Sequence, residues 1–282
     1  METTRRMAGS LLLAASLLPA RALLARAAPD GSDGGSVSAV AGGTWNARAG
    51  GGARLQLTLI CESSIWGRGV ERSELRGLAE GAIASGTATR VAFRIERPAG
   101  VFEMEGTFQE GRGSGPFRFH PNADFVQALR ALGIEGAGRP ADRDLMLLAL
   151  GKVSAADVRE LTRLGLGSLG MDDLATLAVQ GVTPGYVRFV RSLGVAGTNT
   201  AAGVAELRLQ HVTPEYVREL ETLGYRGLSR EQLLQLGMFG VTPAFIRKAR
   251  EAGYRDLTPE ALVQMKIGGI DPATRGPDHR PR

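Results

Sequence analysis

The apolar residues of this chain follow two different periods, one in each half. Between Thr44 and His120 they alternate with polar residues, which is typical of strands that bury one face. Four segments carry this alternation: Leu55–Leu59, Val91–Ile95, Phe102–Phe108 and Phe117–Phe119. Between Pro121 and Ile270 they recur at steps of three and four residues, which is typical of amphipathic helices. The pattern predicts an α+β fold, in which a small antiparallel β domain (44–120) precedes an all-α solenoid (121–270).

Turn residues divide the β domain into its strands. Arg97–Gly100 and Gly111–Gly115 separate the last three segments, so we expect these segments to form an antiparallel meander. The Gly-x-Gly-x-Gly run lacks the Lys-Ser/Thr ending of a phosphate-binding loop, and no helix follows it, so we interpret it as a hairpin turn. Ser73–Ile83 interrupts the strands with a short helical pattern that Ser73 is expected to cap.

The helical half is built from repeats. A Val-Thr-Pro-x-Tyr-Val motif and its variants open successive units, which begin at Val153, Val182, Val212, Val241 and Ile270. The spacings between these starts are 29, 30, 29 and 29 residues, and Asp124–Gly133 is interpreted as a divergent first copy. A fixed period of about 29 residues predicts a solenoid of two-helix repeats.

Each unit carries the local signals of two helices. In one unit Thr213 is placed to cap the first helix, and Pro214 occupies its first turn, where no N–H is needed. Gly224 is placed to end that helix, and Ser229 with Gln232 matches a capping box for the second helix. The aromatic residues at one shared position fall on the apolar stripe, so we expect a core ladder rather than a base-stacking platform: Tyr186, Tyr216 and Phe245.

The N-terminus has the composition of a signal peptide. Arg5 and Arg6 precede the uncharged stretch Met7–Leu18, and two Ala-x-Ala sites follow it. We expect residues 1–27 to be a cleaved signal peptide and the protein to be exported to the periplasm or the extracellular space. No stable membrane insertion is expected after cleavage, because no later stretch is long and apolar enough to span a bilayer. Residues 28–43 are expected to be a flexible linker and residues 271–282 a disordered tail.

The charge balance changes once the signal peptide is set aside. The chain has a pI near 9.9 and a net charge of +5, but residues 1–27 hold four of its arginines and one glutamate. The expected mature protein is therefore nearly neutral. A nucleic-acid-binding module shows a basic face or stripe, and no such concentration is visible in this sequence. Nucleic acid is for this reason not an expected partner.

No combination of residues predicts catalysis or a bound cofactor. The chain has three histidines and one cysteine, with neither a His-Glu-x-x-His motif nor a Gly-x-Ser-x-Gly elbow. Asp172 and Asp173 open a second helix, where acidic residues favour the helix dipole, so we interpret them as capping residues. His211 stands where two other units have Gly and is interpreted as a helix-ending residue. Cys61 is expected to be buried in a strand. We expect a protein that is not an enzyme and needs no metal or cofactor.

The repeat motif resembles a known one. Units of the form Val-Thr-Pro-x-[Tyr/Phe]-[Val/Ile]-Arg, followed by Leu-[Ser/Thr]-x-Glu-x-Leu, are similar to repeats appended to bacterial zinc metallopeptidases of the β-lactamase-sensing antirepressor type. The match covers Val153–Ile270, and the β domain with Trp45 resembles the domain that precedes such repeats. The peptidase motif is absent. The resemblance implies a sensory or scaffolding protein of the bacterial cell envelope, without the protease.

Two other functions remain alternatives. Gly240–Phe245 with Ala252–Tyr254 mimics a helix-hairpin-helix, whose Gly-x-Gly turn offers backbone amides to a DNA phosphate. Thr242 replaces the second Gly of that turn, and the proline after it removes one N–H donor. An enzyme of an unrecognised type is the other alternative.

Protein binding is the function that the repeats favour, and one position in them is a candidate binding site. Three successive units carry an arginine six residues after the opening Val, off the apolar stripe: Arg188, Arg218 and Arg247. Because the units stack, these arginines are expected to form a row on the surface. Guanidinium groups bind carboxylates bidentately, so such a row suits an acidic protein surface or polymer. The alternative is a solvated helix face with ordinary ion pairs.

Overall fold

The strands come first along the chain and the helices follow. The computed structural model describes residues 41–50, 53–61 and 64–272. The expected signal peptide, most of the expected linker and the tail beyond residue 272 lie outside these residues. The last three residues of the expected linker belong to the first strand, because their backbone pairs with the strand that ends at Pro121.

Six strands in the described residues form one antiparallel sheet. They are β1 Ala41–Ala49, β2 Arg54–Cys61, β3 Ser64–Glu71, β4 Thr89–Arg97, β5 Gly100–Gln109 and β6 Arg112–Pro121. Their order is β3-β2-β1-β6-β5-β4, so two three-stranded meanders meet where β1 pairs with β6. The expected meander of the last three strands is confirmed. With the helices that follow, the sheet gives the α+β fold that the hydrophobic pattern predicts.

The sheet curls until its two edge strands approach each other. β3 and β4 lie at opposite ends of the strand order. The segment after β3 nevertheless forms a backbone bridge to β4, in which Arg76 and Arg94 exchange two hydrogen bonds of 2.9 Å. Glu74 in the same segment binds Arg97 at the end of β4, at 2.6 Å. Curling converts one face of the sheet into an enclosed core, in the way that a barrel does.

Trp45 on β1 lies at the centre of that core and is fully buried. Its ring packs against Phe93 and Phe108, with ring centres 5.2 and 5.5 Å away, and its indole N–H donates to the Glu105 carbonyl oxygen at 2.9 Å. The polar edge of the indole is therefore satisfied inside the sheet. Cys61 is buried at the end of β2, which confirms the expectation for this residue.

The turn between β5 and β6 is shorter than the sequence pattern predicts. It consists of Glu110 and Gly111, which both have positive φ, instead of the whole run Gly111–Gly115. Gly115 lies inside β6, where an added Cβ would stand 1.9 Å from the Glu105 carbonyl oxygen. The glycine there permits close approach of two strands, a long-range contact that a local turn signal does not reveal.

Ser73 does not cap a helix, contrary to expectation. It lies inside a single 3-10 turn, Arg72–Glu74, whose N-cap is Glu71. The helical residues come later, in α1 (Glu80–Ala84), which follows Ala79. The bridge between Arg76 and β4 occupies the intervening backbone, and this tertiary pairing overrides the local helical pattern.

Ten helices of nine residues each follow in the described residues 122–272. They are α2 Ala123–Ala131, α3 Asp142–Leu150, α4 Ala155–Arg163, α5 Met171–Val179, α6 Pro184–Ser192, α7 Ala201–Leu209, α8 Pro214–Thr222, α9 Arg230–Met238, α10 Pro243–Glu251 and α11 Pro259–Ile267. Each unit contributes one even-numbered and one odd-numbered helix. The odd-numbered helices pack side by side from α3 to α11, which is the arrangement expected of stacked two-helix units.

The helix ends follow the sequence signals. The hydroxyl oxygens of Thr183, Thr213 and Thr242 each accept a hydrogen bond of 3.1–3.2 Å from the N–H three residues on, and a proline follows each threonine. The capping box of the second helix in the Thr213 unit is present. Asp173 accepts the Gly170 N–H at 3.0 Å, so its capping role is also confirmed.

His211 takes the backbone conformation of the glycines that it replaces. Its φ is 58°, close to the 65° of Gly181 and the 61° of Gly240. Lys152 holds the same position in an earlier unit, with a φ of 59°. The interpretation of His211 as a helix-ending residue is therefore confirmed, and Lys152 shares the left-handed conformation that favours glycine.

The aromatic ladder is part of the core, as expected. Tyr186 and Phe245 are buried, and Tyr216 is partly buried and packed against the core. The Tyr186 hydroxyl donates to the Val212 carbonyl oxygen at 2.8 Å, and the Tyr216 hydroxyl donates to that of Val241 at 2.7 Å. Each tyrosine thus bonds its own unit to the opening residue of the next. The sequence predicts the burial of these rings but not this second role.

One hydrophobic core runs from the sheet into the helices. It includes Phe102 and Phe119 of the sheet, Leu129 of α2 and Leu148 of α3, all of which are fully buried or nearly so. None of the described helices is long and apolar enough to cross a membrane.

Candidate binding surfaces of the helical array

The predicted arginine row lies on the exposed side of the even-numbered helices. Arg188 on α6 binds Glu160 on α4 at 2.5 Å. Arg247 on α10 binds Glu219 on α8 at 3.4 Å. Both pairs join one unit to the preceding one, and their side chains are half exposed. Two of the three arginines are therefore placed as ion-pair partners between units.

Arg218, the middle member of the row, differs from the other two. The residue on α6 that corresponds to Glu160 and Glu219 is Phe189, so no carboxylate stands at that position in the preceding unit. Arg218 instead binds Glu215 of its own helix, at 3.0 Å. Every arginine of the row already has a carboxylate partner, and an acidic ligand would have to compete with it. Binding through this row remains a prediction.

A second arginine position also links the units. Arg250 on α10 donates to the carbonyl oxygen of Leu223, the C-cap of α8, at 2.6 Å. Arg191 on α6 donates in the same way to Leu164, the C-cap of α4. A cation is favourable at the C-terminal end of a helix, where carbonyl groups lack helical partners. These arginines stabilise the stack and are accounted for by that role.

The odd-numbered helices carry a surface feature that the sequence reasoning missed. α5, α7, α9 and α11 all end on a large apolar residue that is about half exposed. We call these four residues the apolar row: Val179 (49%), Leu209 (53%), Met238 (60%) and Ile267 (56%). They recur with the period of the repeat. Each of these four units thus presents one unburied apolar side chain at the same place.

Helix geometry explains why these residues are exposed. Two positions before each of them stands a buried residue, for example Leu207 before Leu209 and Leu236 before Met238. Two residues rotate an α-helix by about 200°, so consecutive members of such a pair face opposite sides. The buried member of each pair belongs to the hydrophobic core, and the row member faces away from the core. In the sequence, such a row can be identified as an apolar residue that recurs once in every repeat but lies outside the apolar stripe that each helix buries.

Cations flank the apolar row. Arg208 precedes Leu209, and its guanidinium carbon lies 5.3 Å from the centre of the Tyr186 ring. Lys266 precedes Ile267, and its Nζ lies 4.3 Å from the centre of the Phe245 ring. Stacking on aromatic rings holds both charged groups close to the row. The surface therefore combines apolar side chains with positive charge.

The fold and these surfaces define a helical-repeat protein whose first unit continues the core of a curled sheet. Models of known protein families, curated proteins and solved structures give no match to this chain. Among the described residues, no group of three or more His, Cys, Asp or Glu side chains is placed to hold a metal ion.

Proposed function

We propose that this chain is a non-catalytic protein of the bacterial cell envelope that binds a partner protein along the apolar row. Export, as the N-terminal sequence predicts, would place the array outside the cytoplasm. The sensory or scaffolding role implied by the resemblance of the repeats is compatible with such a surface. The partner proposed is a protein segment with apolar side chains and acidic flanks.

The distribution of exposed apolar side chains carries this proposal. Six large hydrophobic residues are exposed in the described part of the chain; four of them form the apolar row, and a fifth, Phe239, directly follows Met238 as the C-cap of α9. Single exposed apolar residues are ordinary, but a contiguous set is typical of an interaction surface. Burial of the exposed half of each row member contributes about 1 kcal/mol, so the row supplies about 4 kcal/mol before the costs of association.

The spacing of the row indicates the shape of the partner. Helices that pack side by side lie about 8–10 Å apart, so successive row members are expected at this interval. An apolar residue at every seventh position of an α-helix recurs after about 10.5 Å, whereas alternate residues of a strand recur after about 7 Å. A long amphipathic helix laid across the ends of α5 to α11 therefore fits the row better than a strand does.

The positive charges beside the apolar row add a second requirement for the partner. Arg208 and Lys266 stand beside two members of the row, and each is held over an aromatic ring. A partner helix with Glu or Asp next to its apolar positions would place carboxylates against these cations. Such contacts at the rim of an interface contribute mainly to orientation and association rate.

Co-purification with matched variants tests the proposal. The full chain and two triple variants are purified from the envelope of the native host under the same conditions. One variant removes apolar row members (Leu209→Gln, Met238→Gln, Ile267→Gln). The control removes the arginine row (Arg188→Ala, Arg218→Ala, Arg247→Ala). All the substituted residues are substantially exposed, so each change is expected to alter stability by about 0.5 kcal/mol or less.

The proposal predicts that the apolar-row variant loses a protein that both the wild type and the arginine-row variant retain. If the apolar-row variant retains every specific partner, the row is not the binding surface. If only the arginine-row variant loses the partner, the site belongs to the arginines, as the sequence pattern suggested.

A further inference from the structure

A cavity lies between the open side of the curled sheet and the ends of α3 and α5. Its volume is about 210 Å³. Apolar side chains from both sides of this junction form most of its wall, among them Leu57, Leu59, Ile95, Phe102, Met104 and Leu147. Trp66 on β3 lines it and is only partly buried. The sheet and the array together therefore line an apolar space that is partly open to solvent, since Ile65 and Val179 at its wall are exposed.

The charged residues that line this cavity are all cations. They are Arg68 on β3, Arg97 at the end of β4 and Lys152 after α3. One carboxylate, Glu74, binds two of them, with oxygen–nitrogen distances of 2.6 Å to Arg97 and 2.8 Å to Lys152. Three positive charges therefore meet one negative charge at the wall of an apolar space.

The fold holds each of these cations in place. Arg68 donates to the Leu150 carbonyl oxygen at 2.6 Å, which fixes its guanidinium beside the end of α3. Arg97 is only 11% exposed, and burial lowers the pKa of its guanidinium against the opposing effect of Glu74. Lys152 has a left-handed φ of 59° at a position where three later units have glycine, Gly181, Gly240 and Gly269. A non-glycine residue in this conformation stores strain of about 1 kcal/mol.

We propose that this cavity binds a small amphipathic anion, whose apolar chain fills the cavity and whose carboxylate meets Arg68 and Lys152. The anion would supply the negative charge that Glu74 alone does not. Charge-assisted hydrogen bonds from a guanidinium and an ammonium group are the interactions that carboxylates favour in proteins.

The volume indicates the size of the chain. A dry cavity of about 150 Å³ holds benzene, which has six carbon atoms. By the same proportion, about 210 Å³ holds about eight carbon atoms. A saturated fatty acid of about ten carbons has this size, because its carboxylate carbon and the next carbon would lie at the charged wall and the remaining eight or so carbons inside the cavity. Decanoate is therefore the probe.

Titration calorimetry of the full chain compares three probes that share one alkyl chain: decanoate, decanol and decyltrimethylammonium. Decanoate is expected to bind at least about tenfold more tightly than decanol, and decyltrimethylammonium more weakly than either. Comparable binding of all three probes would show a detergent-like apolar contact and would overturn the proposal. Trp66 provides a local signal, since the second tryptophan, Trp45, is fully buried within the sheet. The decanoate-induced fluorescence change is expected to disappear in Trp66→Phe, and its persistence there would place the ligand elsewhere.

Lys152→Gly separates binding from stability. The substitution gives the residue found at the corresponding position of three later units, so the fold is expected to tolerate it. His211→Gly is the matched control, because it relieves the same backbone conformation in a unit that does not line the cavity. Decanoate affinity is expected to fall about five- to tenfold in Lys152→Gly and to stay unchanged in His211→Gly. Equal affinity in both variants would contradict the proposal.

Glu74→Gln provides a test in the opposite direction. Removing the carboxylate leaves the cations without their internal partner, so decanoate affinity is expected to rise about fivefold. A purely structural role for the three cations predicts no gain, and an unchanged or lower affinity would count against the anion site. Val179 of the apolar row also lines the cavity, so the two surfaces meet at this residue. The measurements use the chain without a partner and therefore test the cavity separately from partner binding along the row.

Discussion

Tyr216→Phe removes a single hydroxyl that links two units of the array. The Tyr216 hydroxyl donates to the carbonyl oxygen of Val241, the buried opening residue of the next unit, at 2.7 Å. The corresponding residue of that unit is Phe245, so the array already accommodates a phenylalanine ring at this position. The substitution is therefore expected to delete the hydrogen bond without disturbing the packing of the ring.

The structure gives the magnitude of the effect at two pH values. At pH 7 the loss of the donor leaves a carbonyl of a buried residue without this partner, which costs about 1–2 kcal/mol. Burial also raises the pKa of Tyr216 to about 12 from its ordinary value of 10.0. The folded state therefore retains the phenolic proton more strongly than the unfolded state. The stability that this group contributes is full below pH 10 and decreases as the pH rises towards 12, by up to about 3 kcal/mol in all.

Urea unfolding followed by circular dichroism at 222 nm, at pH 7 and at pH 11.5, measures both effects. We expect Tyr216→Phe to be less stable than the wild type at pH 7 and to lose less stability on transfer to pH 11.5. Burial raises the pKa of Tyr186 as well, so its contribution to the alkaline loss remains in the single variant and is removed in the double variant with Tyr186→Phe. Equal stability of Tyr216→Phe and wild type at pH 7, with the same alkaline loss, would refute the inter-unit hydrogen bond.

Three further predictions concern other parts of the chain. Leu220→Ala, at a fully buried position of α8, is expected to lower the free energy of unfolding by about 2–5 kcal/mol, and denaturant unfolding that shows a negligible change would refute its assignment to the core. Burial disfavours the ionised form of Glu74, but the hydrogen bond from Lys152 and the charge of Arg97 outweigh this effect and lower its pKa below the ordinary 4.5. The stability that ionised Glu74 contributes is therefore present above pH 4.5 and lost as the pH falls. Acid unfolding of Glu74→Gln should lack this pH-dependent loss. The mature N-terminus is expected between Leu23 and Ala28, and N-terminal sequencing of protein from the native host that finds an intact Met1 would contradict export.

Local signals account for the parts of the fold that the sequence predicts well. A threonine followed by proline and a glycine eleven residues later define α6, α8 and α10, because capping and backbone conformation depend on neighbouring residues. Even His211, which departs from the glycine pattern, was identifiable from its position in the repeat.

Long-range contacts account for the parts that the sequence does not predict. The bridge of Arg76 to β4, the shift of Gly115 into a strand and the absence of a cap at Ser73 all depend on strands that are distant in sequence. The cavity beside Trp66 arises only where the curled sheet meets α3 and α5. The apolar row was present in the sequence as a periodic position, but its exposure depends on which face of each helix the neighbouring layer covers.

Site-specific photo-crosslinking in the native host tests the central proposal most directly. A photoreactive phenylalanine derivative replaces Met238 of the apolar row or, as the control, Arg218 of the arginine row; both side chains are well exposed and lie in the same unit. If the partner binds along the apolar row, the photoreactive residue at position 238 yields one discrete crosslinked protein. The same residue placed at Leu209, another row member, yields the same protein, and position 218 yields none. A product that forms from position 218 but from neither row position would contradict the account.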